Sequence, residues 1–157
     1  MKRTLLLVRG NVSHPLGIIG AYWYWFRFEQ WLRHGRKYAI RVLETPTLDQ
    51  LLAELVAADA VVLYGHGSAD GKGFLLDERK FRHGEVATRD LVHADFLREV
   101  AAYQSRRLDF AFNASCYSLR DPETVHAWLQ ISAAYTGFFA STFSFRPADF
   151  SLPRTVR

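Results

Sequence analysis

Ala60-Val61-Val62-Leu63-Tyr64-Gly65-His66-Gly67-Ser68 is the stretch on which the fold turns. Its first five residues carry no charge and read as a short strand buried on both faces. At Gly65 the run breaks into a loop that presents an imidazole. A second stretch repeats the device: Leu108-Asp109-Phe110-Ala111-Phe112 leads into Asn113-Ala114-Ser115-Cys116-Tyr117-Ser118. Open parallel sheets bind ligands outside the carboxyl ends of their strands, so the two loops bring a thiol and an imidazole to one crevice although fifty positions separate them. That pairing points to hydrolysis through a nucleophilic cysteine.

Working outward, Thr4 to Val8 is a central strand bounded by Lys2-Arg3 and Arg9-Gly10-Asn11. His14-Pro15-Leu16-Gly17 breaks the chain. Ile18 to Arg33 then reads as an unusually aromatic helix that stops at His34-Gly35. Lys37 to Leu43 alternates as a strand nearer the sheet edge. Thr47 is the expected N-cap of an amphipathic helix on which Leu48, Leu51, Leu52, Leu55 and Val56 recur at helical spacing. Gly71 to Leu76 suggests a hairpin-like piece, Ala94 to Tyr103 a helix, Asp121-Pro122-Glu123 the start of another, and Ala133 to Phe145 contains a fifth strand. This alternation predicts an α/β three-layer sandwich with a mostly parallel sheet, built as a single domain over 1–146 with a C-terminal extension over 147–157.

At 157 residues the chain has the size of one domain and can bury roughly 70% of its unfolded surface. Its single cysteine forms no internal disulfide, and with no leader visible behind Met1-Lys2-Arg3 the expected setting is a reducing cytoplasm. The formal charge is +4, but the basic residues are scattered, which argues against nucleic acid as a partner. The apolar run from Ile18 to Phe26 falls short of the roughly 20 residues that cross a bilayer, so no membrane span is expected. The aromatic helix over 22–31 is instead a candidate surface for a protein partner or a homo-oligomer. His14, His66, His83, His93 and Asp70 lack a compact ligand spacing, and Gly67 to Gly73 misses the Walker pattern by one residue, so neither a metal nor another cofactor is expected.

A thiol attacks a carbonyl as thiolate or with its proton managed, and an imidazole titrating near neutrality is the usual manager. Cys116 and His66 are the expected catalytic pair. Glycines on both sides of His66 allow a close approach of substrate, and the amides of Gly67 and Cys116 can donate to a developing oxyanion. Neither loop carries this reading alone. A histidine between glycines also ends strands in polar loops, and a lone cysteine is commonly a small buried hydrophobe.

Tyr64-Gly65-His66-Gly67-Ser68 and Ser115-Cys116, each after an apolar strand and in this chain order, resemble the caspase-like cysteine peptidases, the superfamily that also holds metacaspases, gingipain, legumain, separase and the bacterial CHAT domains. The resemblance implies a caspase-like, flavodoxin-related sheet and a cysteine endopeptidase with a peptide or protein substrate. The competing reading is an inactive module of the same fold that works through a partner. It also implies a substrate-binding role for Arg9, after the first strand, and for Arg146 in Ser144-Phe145-Arg146, which is similar to the caspases' Ser-Trp-Arg. Two such arginines favour an acidic side chain before the scissile bond, because a guanidinium binds a carboxylate bidentately. A pocket built with Asp70 or Asp77 would instead favour Arg or Lys.

Overall fold

The computed structural model describes residues 2–10, 18–77, 91–139 and 154–157. Among them, six strands form the main sheet: β1 (Arg3–Arg9), β2 (Tyr38–Glu44), β3 (Ala60–Tyr64), β7 (Ala111–Ala114), β8 (Tyr135–Gly137) and β9 (Arg154–Val156), in the order β2-β1-β3-β7-β8-β9. All neighbours run parallel except β9, which pairs antiparallel with β8. The expected three-layer α/β architecture is therefore present, and residues 154–156 of the C-terminal extension dock as an edge strand.

Strand alternation splits the core in two. Leu5, Leu7, Ala60 and Val62 face the single helix α1 (Ile18–His34), which buries Trp23 against them. Leu6, Val8, Val61 and Leu63 face three helices: α2 (Leu48–Ala57), α3 (Ala94–Tyr103) and α4 (Pro122–Ile131). β1 has four consecutive residues with no exposure, Leu5 to Val8, because both of its faces are covered.

The helix starts follow the local chemistry. Thr47 and Gln50 form a reciprocal capping box at α2. Asp121 accepts from the Thr124 N–H at 2.8 Å at the start of α4, where Pro122 lacks the N–H that would go unused. At α3 the cap is His93, whose Nδ1 accepts from the Phe96 N–H at 3.1 Å.

One strand differs from its reading. The run expected over Leu108–Phe112 is offset, since the regular strand β7 begins three residues after Leu108. Leu108 bridges to Ser132, outside the named strands. Asp109 then turns its carboxylate to the Tyr38 hydroxyl at 2.6 Å and to Arg3 at 2.5 Å. The backbone keeps its neighbours here, with the Asp109 N–H donating to the Asp59 carbonyl at 2.7 Å and the Phe110 carbonyl accepting from the Val61 N–H at 3.2 Å, and the regular ladder begins at Ala111.

A smaller antiparallel sheet stands at the rim, formed by β4 (His66–Gly67), β5 (Gly73–Leu75) and β6 (Leu91–His93) in that order. Its fully buried Phe74 ring lies where a Cβ on Gly65 would meet it at 3.0 Å and a Cβ on Gly10 at 3.2 Å. The glycines that end β1 and β3 thus make room for this ring, which anchors the small sheet to the large one.

Candidate active site

Tyr64 of β3 and Ala114 of β7 are register partners. His66 and Cys116 each lie two residues beyond that pair, so both reactive residues leave the same rim from adjacent strands. The two loops touch. A Cβ on Gly67 would fall inside the carbonyl oxygen of Cys116 and 3.0 Å from the Ser115 hydroxyl. Only glycine fits there. His66 is half-buried, and Cys116 is 9% exposed and makes no disulfide.

The histidine is mounted on a hairpin. His66 pairs with Leu75 and Gly67 with Phe74, and beyond them the Ser68 N–H donates to the Gly73 carbonyl at 2.9 Å. Hydrogen-bonded and wide pairs alternate along an antiparallel ladder, so the Gly67–Phe74 pair is a wide one and directs the Gly67 N–H away from β5. The turn closes through the Ser68 hydroxyl, which accepts from the Gly73 N–H at 3.0 Å, and through Asp70, whose carboxylate accepts from the Lys72 N–H at 3.0 Å. Hydrogen bonding from Ser68, with help from Lys72, holds the Asp70 carboxyl below its usual range. Asp70 is exposed and caps this turn, and Asp77 follows β5, half-buried.

The turn is tied to the cysteine loop. Gly71 has φ +79°, and a Cβ there would stand 2.7 Å from both the Tyr117 carbonyl and the Arg120 Cβ. The Arg120 guanidinium donates to the Ala69 carbonyl at 3.0 Å, and the Thr124 hydroxyl to the Lys72 carbonyl at 3.1 Å.

Behind Cys116 lies a buried polar network that sequence reading missed. Ser115 donates to the Asn113 Oδ1 at 2.6 Å, and the Asn113 Nδ2 to the Tyr135 hydroxyl at 3.2 Å. Tyr135 donates in turn to the Ser118 carbonyl at 2.9 Å, while the Ser118 hydroxyl donates to the Asn113 carbonyl at 3.1 Å and accepts from the Phe138 N–H at 2.9 Å. Asn113, Ser115, Ser118 and Tyr135 are all buried. Burial pushes the Tyr135 phenol far above its usual pKa, so it stays protonated and donates throughout the physiological range. Inside this frame Tyr117, directly after the thiol, adopts φ 56°, a left-handed conformation unusual for a residue with a Cβ. The only sequence signal for the network is the cluster of polar residues around a strand end.

Arg9 ends β1 beside Tyr64 and Glu44, its register partners. Its guanidinium stands 3.7 Å from the Glu44 carboxylate and 5.7 Å from the Trp23 ring centroid, and the Trp23 indole N–H donates to the same carboxylate at 3.0 Å. Arg146 lies outside the described residues, as do His14 and His83. Among the described residues no group of three or more His, Cys, Asp or Glu could hold a metal ion, and no helix is long and apolar enough to cross a membrane.

No protein-family model matches the sequence, and no curated protein matches it. Solved structures do. One is a secreted C11 cysteine protease from Bacteroides thetaiotaomicron in complex with an irreversible peptide inhibitor, at 12% identity and TM-score 0.58, covering 90% of this chain and 50% of that one. Another, of a secreted C11 cysteine protease from the same organism named iotapain, matches at 8% identity and TM-score 0.58, covering 90% and 53%. The chain thus spans about half the length of these structures. The likeness concerns the backbone: the chain shares the α/β fold of these cysteine proteases, in line with the fold expected from the sequence.

Proposed function

We propose that this rim is the active centre of a cysteine endopeptidase. The observation that carries the reading is the contact of Gly67 with the backbone of Cys116, which sets the histidine and cysteine loops side by side on adjacent strands of a caspase-like fold. The Cys116 sulfur, as thiolate, attacks the substrate carbonyl carbon, and the carbonyl π pair moves to oxygen. The Gly67 N–H, directed off the hairpin, and the Cys116 N–H receive that oxyanion. As the tetrahedral species collapses, the C–N bond breaks and the His66 imidazolium gives its proton to the leaving nitrogen. Water, deprotonated by His66, then hydrolyses the thioester and restores the thiol.

Arg9 favours an acidic side chain before the scissile bond. Glu44 already stands beside the same guanidinium and competes for it, so the preference is modest and Glu44→Gln strengthens it. Arg146, placed after the fifth strand by the sequence, is the second candidate for the same carboxylate.

The decisive experiment is turnover of a mixed peptide library by the wild type, Cys116→Ala and His66→Ala. Loss of cleavage in both variants supports the dyad, and equal cleavage by Cys116→Ala would sink the thiol mechanism. A panel of substrates differing only in Asp, Glu, Arg, Lys or Leu before the scissile bond reads the specificity, and a preference for Arg would overturn the role given to Arg9.

A further inference from the structure

Helix α1 carries two apolar faces where a surface helix needs one. Trp23 and Gln30 are buried toward the sheet, with Phe26 half-buried between them. On the opposite side Tyr24, Phe28 and Trp31, flanked by Trp25 and Leu32, recur at three- and four-residue spacing. Their exposures are high for such large side chains, 69% for Tyr24, 68% for Trp25 and 59% for Trp31. The rings form a continuous row, with Trp25 and Phe28 centroids 6.0 Å apart and Phe28 and Trp31 centroids 6.2 Å apart. Next to this ridge runs a groove of about 420 Å³, walled by Tyr24, Arg27, Phe28 and Trp31 on one side and by Ile40 and Val42 of the edge strand β2 on the other.

We propose that the occupant of this groove is α1 of a second copy of this chain, packed about a twofold axis. Two observations select it. First, ridge and groove are made by the same helix, so each copy offers what the other lacks, as an isologous contact requires. Among the described residues three helices cover one face of the sheet and α1 covers the other, and a partner's α1 laid over Ile40 and Val42 extends that second layer. Second, the area is sufficient. Tyr22, Tyr24, Trp25, Phe28, Trp31 and Leu32, each near half exposure or above, present roughly 600 Å², and the groove walls bring the surface close to the ~800 Å² that a standard interface takes from each partner. A lipid surface is the weaker occupant, because the arginines bordering the face already have carboxylates beside them within the chain: Arg27 lies 3.9 Å from Glu44, which it shares with Arg9, and Arg33 lies 2.5 Å from Glu29.

Sedimentation equilibrium from micromolar to submillimolar protein tests the proposal, and the mass is expected to rise to twice that of one chain. Tryptophan quenching by acrylamide is the second readout. Trp23 and Trp128 are fully buried, so quenching reports Trp25 and Trp31, and it should fall as the mass doubles. Phe28→Glu and Trp31→Ala should each weaken association by roughly thirtyfold or more, the scale of a central hot spot. Tyr103→Glu, which alters a side chain 67% exposed on α3 behind the other face, should leave it unchanged. Circular dichroism identifies any variant that fails to fold, in which case quenching of the wild type still decides. A single-chain mass over the whole range, doubling that survives both substitutions, or capture of the monomer by anionic phospholipid vesicles would each overturn the proposal.

Discussion

Gly67 and the carbonyl of Cys116 lie so close that the smallest side chain cannot stand between them. The contact locks the hairpin bearing the imidazole onto the backbone bearing the thiol. Gly67→Ala must push the loops apart, and it is expected to cost about 1–3 kcal/mol of stability, the range for overpacking a tight site. The same displacement, of the order of an ångström, should lower kcat/KM by roughly a hundredfold or more. Thermal melts and peptide turnover on one preparation check both effects, and an alanine variant with native activity would refute the locking role.

Tyr135→Phe deletes one oxygen from the network behind the thiol. Asn113 then loses an acceptor and the Ser118 carbonyl a donor, both in buried surroundings, so a loss of about 1–3 kcal/mol is expected in chemical denaturation. The variant should also show slower alkylation of Cys116 by iodoacetamide, because the loop that sets the sulfur's surroundings has lost its tie to β8. Unchanged alkylation beside the loss of stability would confine the network to a purely structural role.

Thr47→Ala separates stability from chemistry. The residue caps α2 just after β2, an edge strand that β1 separates from β3, and its removal should cost about 1 kcal/mol. Turnover per folded molecule is expected to stay at the wild-type value.

His34, at the end of α1, supplies a pH signature. Burial first, then the neighbouring charges of Arg33 and Lys37, lower its pKa from the ordinary 6.5. A base with a depressed native pKa is neutral in both states above 6.5, where its contribution to stability is fully present. Below 6.5 the unfolded chain takes up the proton first, so stability is lost as pH falls toward the native pKa. His34→Gln should flatten this part of the profile. Denaturation midpoints of the two proteins between about pH 7.5 and pH 5 test it, and parallel profiles would rule His34 out as the source.

Local signals in the sequence were enough for much of this molecule. Leu5 to Val8 and Ala60 to Leu63 read as core strands because a strand covered on both faces needs an unbroken apolar run, and Thr47 with Gln50 or Asp121 with Pro122 mark helix starts within a few positions. The start of β7 was not legible, since the apolar run opens at Leu108, before the regular ladder does, and the partners of the Asp109 carboxylate, Tyr38 and Arg3, stand 71 and 106 positions away. The small sheet escaped full recognition because strands of two or three residues show no period. The Asn113–Tyr135 bond and the pairing of Arg9 with Glu44 depend on which strands become neighbours, and the approach of Trp23 to Arg9 depends on where α1 crosses the sheet. The loop that carries Cys116 was visible, and what holds it was not.

Strand β9 gives the order of synthesis a chemical meaning. Its Val156 pairs with Tyr135, the residue whose hydroxyl holds Ser118 behind the thiol. Chains emerge N-terminal end first, so His66 and Cys116 are both translated before the strand that backs Tyr135 exists. During that interval β8, which carries the tie from Tyr135 to Ser118, lies against β7 without β9 beside it, and the support of that strand waits for residues 154–156.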